Sequence, residues 1–142
     1  MFSDCTSLIT APELPAITLA NSCYAYMFQG CTSLTVAPEL PAITLANSCY
    51  AYMFQGCSFL IVAPGLPATT LVTNCYCGMF YGCSKLNYIK ALFTTTPGSS
   101  YTTNWVYNVS KTGTFVKNAA ATWHIKGTDG TPSGWTVETA TA

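Results

Sequence analysis

The chain has 142 residues, half of them apolar and only 7% charged, with five lysines, no arginine, five carboxylates and one histidine, so its net charge is zero. A soluble domain ordinarily carries about 25% charge; a chain this apolar and this weakly charged is not disordered. A neutral chain without arginine also lacks the phosphate and guanine contacts of a nucleic-acid partner. No membrane span is expected, because Thr, Ser, Pro, Gly or Asn interrupts every apolar run well short of the roughly 18 residues a spanning helix needs. No basic stretch followed by an apolar core stands at the start of the sequence, so no signal peptide is expected in it.

Self-comparison organises the first two-thirds of the chain. Residues 1–26 and 27–52 differ only at positions 3, 4, 9 and 10 of the unit, leaving 22 of 26 identical. Residues 53–78 match the second unit at 16 of 26 positions. A partial unit, 79–92, opens with MFYGCSKL and then diverges. A 26-residue unit cannot bury its own apolar face, so copies must lie against each other. Equivalent residues then form columns: Leu8, Leu34, Leu60 and Leu86; Leu14, Leu40 and Leu66; Leu19, Leu45 and Leu71; Phe2, Phe28, Phe54 and Phe80, flanked by Met1, Met27, Met53 and Met79.

Within a unit, two prolines (Pro38 and Pro41 in the second) exclude a helix from the APELPA segment. The preceding LTV is β-prone and is expected to be a short strand. ITLANSCYAYMF is the one place for a helical or 3₁₀ turn, with Asn47 or Ser48 as its N-cap.

These residues carry a resemblance. The phrase Y-x-x-M-F-x-G-C-[ST]-x-L at Tyr50–Leu60 resembles the I-x-x-x-A-F-x-G-C-x-x-L phrase of BspA-type leucine-rich-repeat bacterial surface proteins. The PELPA-x-TL phrase and the tail GTFVKNAAATW…GTPSGWTVETA are similar to a recurring form of these proteins. The resemblance implies a secreted or cell-surface location and binding to host matrix proteins or to other cells. It also implies a leucine-rich-repeat solenoid of period 26, with short strands and irregular or short-helical returns. The expected division is an array over 1–92 and a small β-rich C-terminal cap over 93–142.

The cap is expected because composition shifts after about Leu92. The strand-like runs NWVYNV, GTFVKN, ATWHIKG and GWTVETA follow, separated by turn signals at Lys111–Gly113, Thr128–Gly130 and Pro132–Gly134. Charge divides in the same way. Residues 1–84 hold Asp4, Glu13 and Glu39 and no lysine, giving −3; residues 85–142 hold five lysines against Asp129 and Glu138, giving +3.

Little in the sequence offers chemistry. Seven of the eight cysteines fall in two registers (5, 31, 57, 83 and 23, 49, 75), and Cys77 stands alone. Repetition of a small buried hydrophobe explains such columns; a disulfide involving Cys75, Cys77 or Cys83 is the alternative. Cys75-x-Cys77 lacks metal-ligand spacing and has no neighbouring histidine, so no metal is expected. His124, the only histidine, sits between Trp123 and Ile125 in an apparent cap strand and reads as structural or surface. With no paired carboxylates, phosphate loop or nucleophile motif, no enzyme, catalytic residue or cofactor is expected.

The surface candidates are Tyr26 and Tyr52 as an exposed tyrosine row, Glu13 and Glu39 as an acidic row, and Thr18, Thr44 and Thr70 as a hydroxyl row. Two readings follow. One is a non-catalytic binding or adhesion module that presents its repeated surface to a protein or glycan. The other is a spacer or self-assembling segment of a longer surface or fibre protein, forming homo-oligomers through the face of the first unit.

Overall fold

The computed structural model describes residues 2–140; Met1, placed above in the methionine column, lies outside them. Its regular secondary structure is three four-residue strands: β1 (Tyr88–Ala91), β2 (Thr114–Lys117) and β3 (Thr136–Thr139). They form one open parallel sheet in the order β1-β2-β3, with Ile89 opposite Phe115 and Phe115 opposite Val137. No helix is present among the described residues. The protein is therefore a small β-rich fold. The expectation of a leucine-rich-repeat solenoid, with a strand in every unit and short-helical returns, is corrected on both counts, and each correction has a local cause.

The missing strands trace to proline. In β2, Thr114 donates its N–H to the Asn87 carbonyl at 2.9 Å, so alternate residues of this strand, Val116 included, face β1. The corresponding unit positions are Pro12, Pro38 and Pro64. Proline has no N–H to give, so the first two units meet only at the isolated bridge Thr10–Val36; Val62–Tyr88 is also an isolated bridge, although Lys90 stands at the proline position there. Ladders begin where Val116 and Glu138 take the proline's place.

The missing helices trace to backbone handedness. Ser48, Tyr52 and Gly56 all have positive φ (56°, 55° and 76°). A left-handed residue at every fourth position interrupts any helix. In its place, Cys49, Ala51, Met53, Gln55 and Cys57 each donate to the carbonyl three residues back, at 3.0–3.2 Å. The intervening amides point outward to the next unit: Ser48, Tyr50, Tyr52, Phe54 and Gly56 donate to the carbonyls of Thr73, Cys75, Cys77, Met79 and Tyr81. Ser48 therefore caps no helix.

The same backbone pattern runs on past residue 92. Asp4, Gly30, Gly56, Gly82, Asn108 and Gly134 all have positive φ and stand 26 residues apart. The expected strand NWVYNV is instead a turn segment with Asn104 and Asn108 left-handed, and asparagine tolerates that conformation well. Its carbonyls accept from the unit before it, as in Phe80 N–H to Trp105 O at 2.9 Å and Gly82 N–H to Tyr107 O at 2.8 Å.

The core runs through the middle of the units. Phe28, Phe54 and Phe80, with Leu34, Leu60 and Leu86, are completely buried, and the phenylalanine rings stack at 5.5–5.8 Å from Phe2 to Phe80. Trp105, Trp123 and Trp135 close the far end. All three are buried, and their indole N–H groups donate to the carbonyls of Gly130, Phe93 and Ser110 at 2.9, 3.2 and 2.7 Å. These rings are core and offer no open stacking face.

If proline is what limits the ladder, Val116→Pro should reduce the β1–β2 pairing to an isolated bridge. The substitution orphans a carbonyl of β1, which costs about 1–3 kcal/mol. A fall of that size in stability from urea denaturation is expected; an unchanged midpoint would contradict the proline explanation.

Candidate functional site

The proline-rich segments that cannot pair as strands leave a concave face. Between the first two units lies a cleft of about 550 Å³, walled by Pro12, Leu14, Pro15, Pro38 and Pro41 and carrying Glu13 and Glu39. A second, of about 330 Å³, continues from Glu39 and Pro41 past Gly65, Leu66 and Pro67 to Lys90 and Leu92. Glu39 and Pro41 line both, so the two clefts adjoin in a groove that crosses three units and ends on the fourth. Its walls are apolar, and its charges are Glu13 and Glu39 towards one end and Lys90 at the other. The structure thus gathers the acidic row into one concavity. Gly65 replaces the third glutamate there and leaves open space at that point.

Thr18, Thr44 and Thr70 are exposed, but none lines the groove. Beside them stand Ile17 and Ile43, 70% and 71% exposed, with Ile17 on the groove wall. Sequence reading expected repeated Tyr, Thr and Ile side chains on the binding surface but read the prolines only as helix and strand breakers.

Tyr26 and Tyr52 come together. Their rings stack at 5.1 Å and 9°, Tyr26 exposed and Tyr52 half-buried. Both have positive φ (60° and 55°), a conformation that costs a non-glycine residue roughly 1–2 kcal/mol. The third unit has Gly78 at this place, and a Cβ there would run into the Tyr52 ring. One face of Tyr52 is thus covered by Tyr26 and the other lies over Gly78, so Tyr52 offers a partner its ring edge and phenol, while Tyr26 also keeps its outer face. Cys77 Sγ donates to Tyr52 Oη at 3.7 Å. That contact, ahead of burial, pushes the Tyr52 phenol pKa up. The sequence reading missed a second exposed pair, Tyr81 on Tyr107 at 4.7 Å, together with the Gln29–Gln55 side-chain hydrogen bond between units. The other tyrosine column, Tyr24, Tyr50 and Tyr76, stacks at about 6 Å into the core. At its inner end the Tyr76 hydroxyl is buried with no hydrogen-bond partner.

The cysteines have structural work. Cys31, Cys57 and Cys83 donate their thiols to the carbonyls of Phe2, Phe28 and Phe54 at 3.0–3.1 Å. Each S–H ties one unit to the one before. All eight thiols are free, Cys75 and Cys83 buried and Cys77 half-buried. Burial pushes Cys49 up to about 11 and Cys57 and Cys75 up to about 12, and raises Cys31 and Cys83 as well. Elevated thiol pKa values suit inert core cysteines. Among the described residues, no three His, Cys, Asp or Glu side chains converge to hold a metal ion. His124 is exposed at a small cleft with Lys117, Trp123 and Lys126. No helix among the described residues is long and apolar enough to cross a membrane.

Two outcomes follow. In the folded protein, alkylation at pH 8 should reach Cys23, the most exposed thiol, and spare Cys31, Cys49, Cys57, Cys75 and Cys83; denaturation without reductant should then expose eight thiols. Fewer than eight would mean a disulfide. The raised thiols also set a pH dependence. Unfolded cysteine ionises near 9.0, and the folded thiols stay protonated to about 12. The folded state therefore binds more protons across that interval, so stability is fully present below pH 9 and falls as pH rises from 9 to about 12. A denaturation midpoint that stays flat over this range would contradict the burial. No family model, curated protein or solved structure matches this chain.

Proposed function

We propose that this chain is a non-catalytic binding or adhesion module that offers its repeated surface to a protein or glycan partner. The observation that carries the reading is the continuous groove over successive units, apolar-walled, with Glu13 and Glu39 set into it. Ligand sites are typically concave, mostly apolar and supplied with a few oriented polar groups. Repeated weak contacts along one face then add through multivalency. The groove favours a protein partner over a glycan. Sugars stack on open aromatic faces, and the Tyr26–Tyr52 stack leaves only the outer face of Tyr26 open. An extended segment bearing a basic residue suits the acidic end of the groove. The resemblance of Tyr50–Leu60 to bacterial surface proteins supports a secreted or cell-surface setting.

Self-association is a second reading. It is favoured by the first unit, where Phe2, Leu8 and Leu14 are only half-buried while Phe28, Leu34 and Leu40 are buried.

The binding reading is tested on a panel of immobilised matrix proteins and glycans. At least one protein should bind the wild-type chain. The double substitution Glu13→Lys with Glu39→Lys should weaken that binding about tenfold or more, with the denaturation midpoint unchanged, because both side chains are exposed. Equal binding by the variant, or a panel hit only among glycans competed by free sugar, would overturn the groove as the site.

A further inference from the structure

The two ends of the fold differ in hydrogen-bonding character. In each turn segment, amides point towards the following unit and carbonyls towards the preceding one. Thus the carbonyls of Asn47, Cys49 and Ala51 accept from Ser22, Tyr24 and Tyr26 at 2.9–3.0 Å. The equivalent carbonyls of the first unit, Asn21, Cys23 and Ala25, receive no N–H from any described residue. The outward face of the first unit is therefore apolar with a row of acceptors. Two such faces brought together by a two-fold axis would set carbonyl against carbonyl.

The opposite end has a free strand. Thr136 and Ala140 donate to β2, at Gly113 and Lys117. By strand alternation the N–H and C=O of Val137 then point away from the sheet. All four residues of β3 are exposed. Val137 ends an inner column whose other members, Ile89 and Phe115, are fully buried, while Val137 itself is 38% exposed. The first unit offers a matching edge. Ile9 and Ala11 make the bridge to Val36, so the N–H and C=O of Thr10 also point outward. Ala11 is only half-buried. The ends differ in charge as well: the first unit carries Asp4 and Glu13 with no lysine, while residues 111–142 carry three lysines against Asp129 and Glu138.

We propose that copies of this chain associate head to tail, with the β3 edge of one copy adding to the Thr10 edge of the next. Thr136 lies opposite Thr10, so Val137 donates to the Thr10 carbonyl, Thr10 donates to the Trp135 carbonyl, and Val137 covers Ala11. The partner is a second copy of this chain, and the contact is parallel strand addition. A heterologous contact of this kind cannot stop at a symmetric pair and grows past two copies, into a ring if its rotation closes and a filament if it does not. It uses the ends of the molecule, not the lengthwise groove, so it stands or falls separately from the binding reading.

The test is light-scattering mass of the full chain, with reductant, over a hundredfold range of concentration and at low and high salt. Wild type should grow past two copies as concentration rises, and less so at high salt. Val137→Pro removes an outward N–H from an edge strand, where proline is tolerated, and should hold the protein at one copy with its denaturation midpoint unchanged. Val137→Glu is the second variant: it sits beside Lys117 and Lys126, sets a charge against the acidic first unit, and should also give a monomer. A wild-type monomer at every concentration would overturn the proposal. So would a mass that levels at two copies, or growth that both folded variants retain.

Discussion

Everything in this structure depends on how the backbone amides of the turn segments are shared. One set closes a turn on the residue three back; the alternate set donates to the neighbouring unit. Left-handed residues at Ser48, Tyr52 and Gly56, and at their equivalents 26 positions away, hold the chain in that alternation. A helix would spend all these donors internally and leave nothing to join the units. A strand would direct half of them to each side but could not turn as tightly. The side chains follow from this backbone. Successive units are offset by one fixed step, so identical residues stack on each other. That is why the phenylalanines, leucines and core tyrosines form columns, and why a thiol three residues past Phe28 falls within hydrogen-bonding reach of the Phe2 carbonyl.

Part of this was legible in the sequence and part was not. The period, the buried columns and the acidic row could be read because each depends on residue identity at a fixed spacing. The strand expected at LTV could not be judged from β-propensity alone. In the second unit Pro38 withholds the amide a ladder would need, Lys90 has that amide and its unit still makes only isolated bridges to the third, and ladders form at Val116 and Glu138. The helical turn expected at ITLANSCYAYMF failed because Ser48 and Tyr52 give no sequence warning of a positive φ, as glycine would. After Leu92 the sequence period vanishes while the backbone period persists. Asn104 and Asn108 do there what Gly78 and Gly82 do one unit earlier, a substitution that conformation permits and sequence comparison does not register.

The site shows the same division. Glu13 and Glu39 were visible as repeated charges, and the groove around them was not, because its walls are mostly prolines, which sequence logic reads as turns. The tyrosine pair was visible as a row, but its meaning changed once the geometry was known. Stacked rings at 5.1 Å hide the faces of Tyr52 and the inner face of Tyr26, leaving the phenols, the edges and one Tyr26 face outward. The left-handed backbone beneath Tyr26 and Tyr52 adds a further constraint. A residue at that register is least strained as glycine or asparagine, as at Gly78 and Asn104, so the stacking between the two rings helps to offset the backbone cost in the first two units.

Burial is graded along the chain, and the grading has a direction. At the tryptophan end, three indole N–H groups satisfy three carbonyls and fill the space left as the repeated sequence gives way. At the other end the same columns thin out, and Phe2, Leu8 and Leu14 keep one side open. Local opening should therefore start in the first unit, where each column has one neighbour in place of two, and reach the units around Tyr76 and Trp105 last. The acceptor row at Asn21, Cys23 and Ala25 reinforces that order, since carbonyls without partners add nothing to hold the first unit in place. Anything that seats on that face must bring donors. Covering it would extend the columns by one step and bury the first unit as deeply as the second.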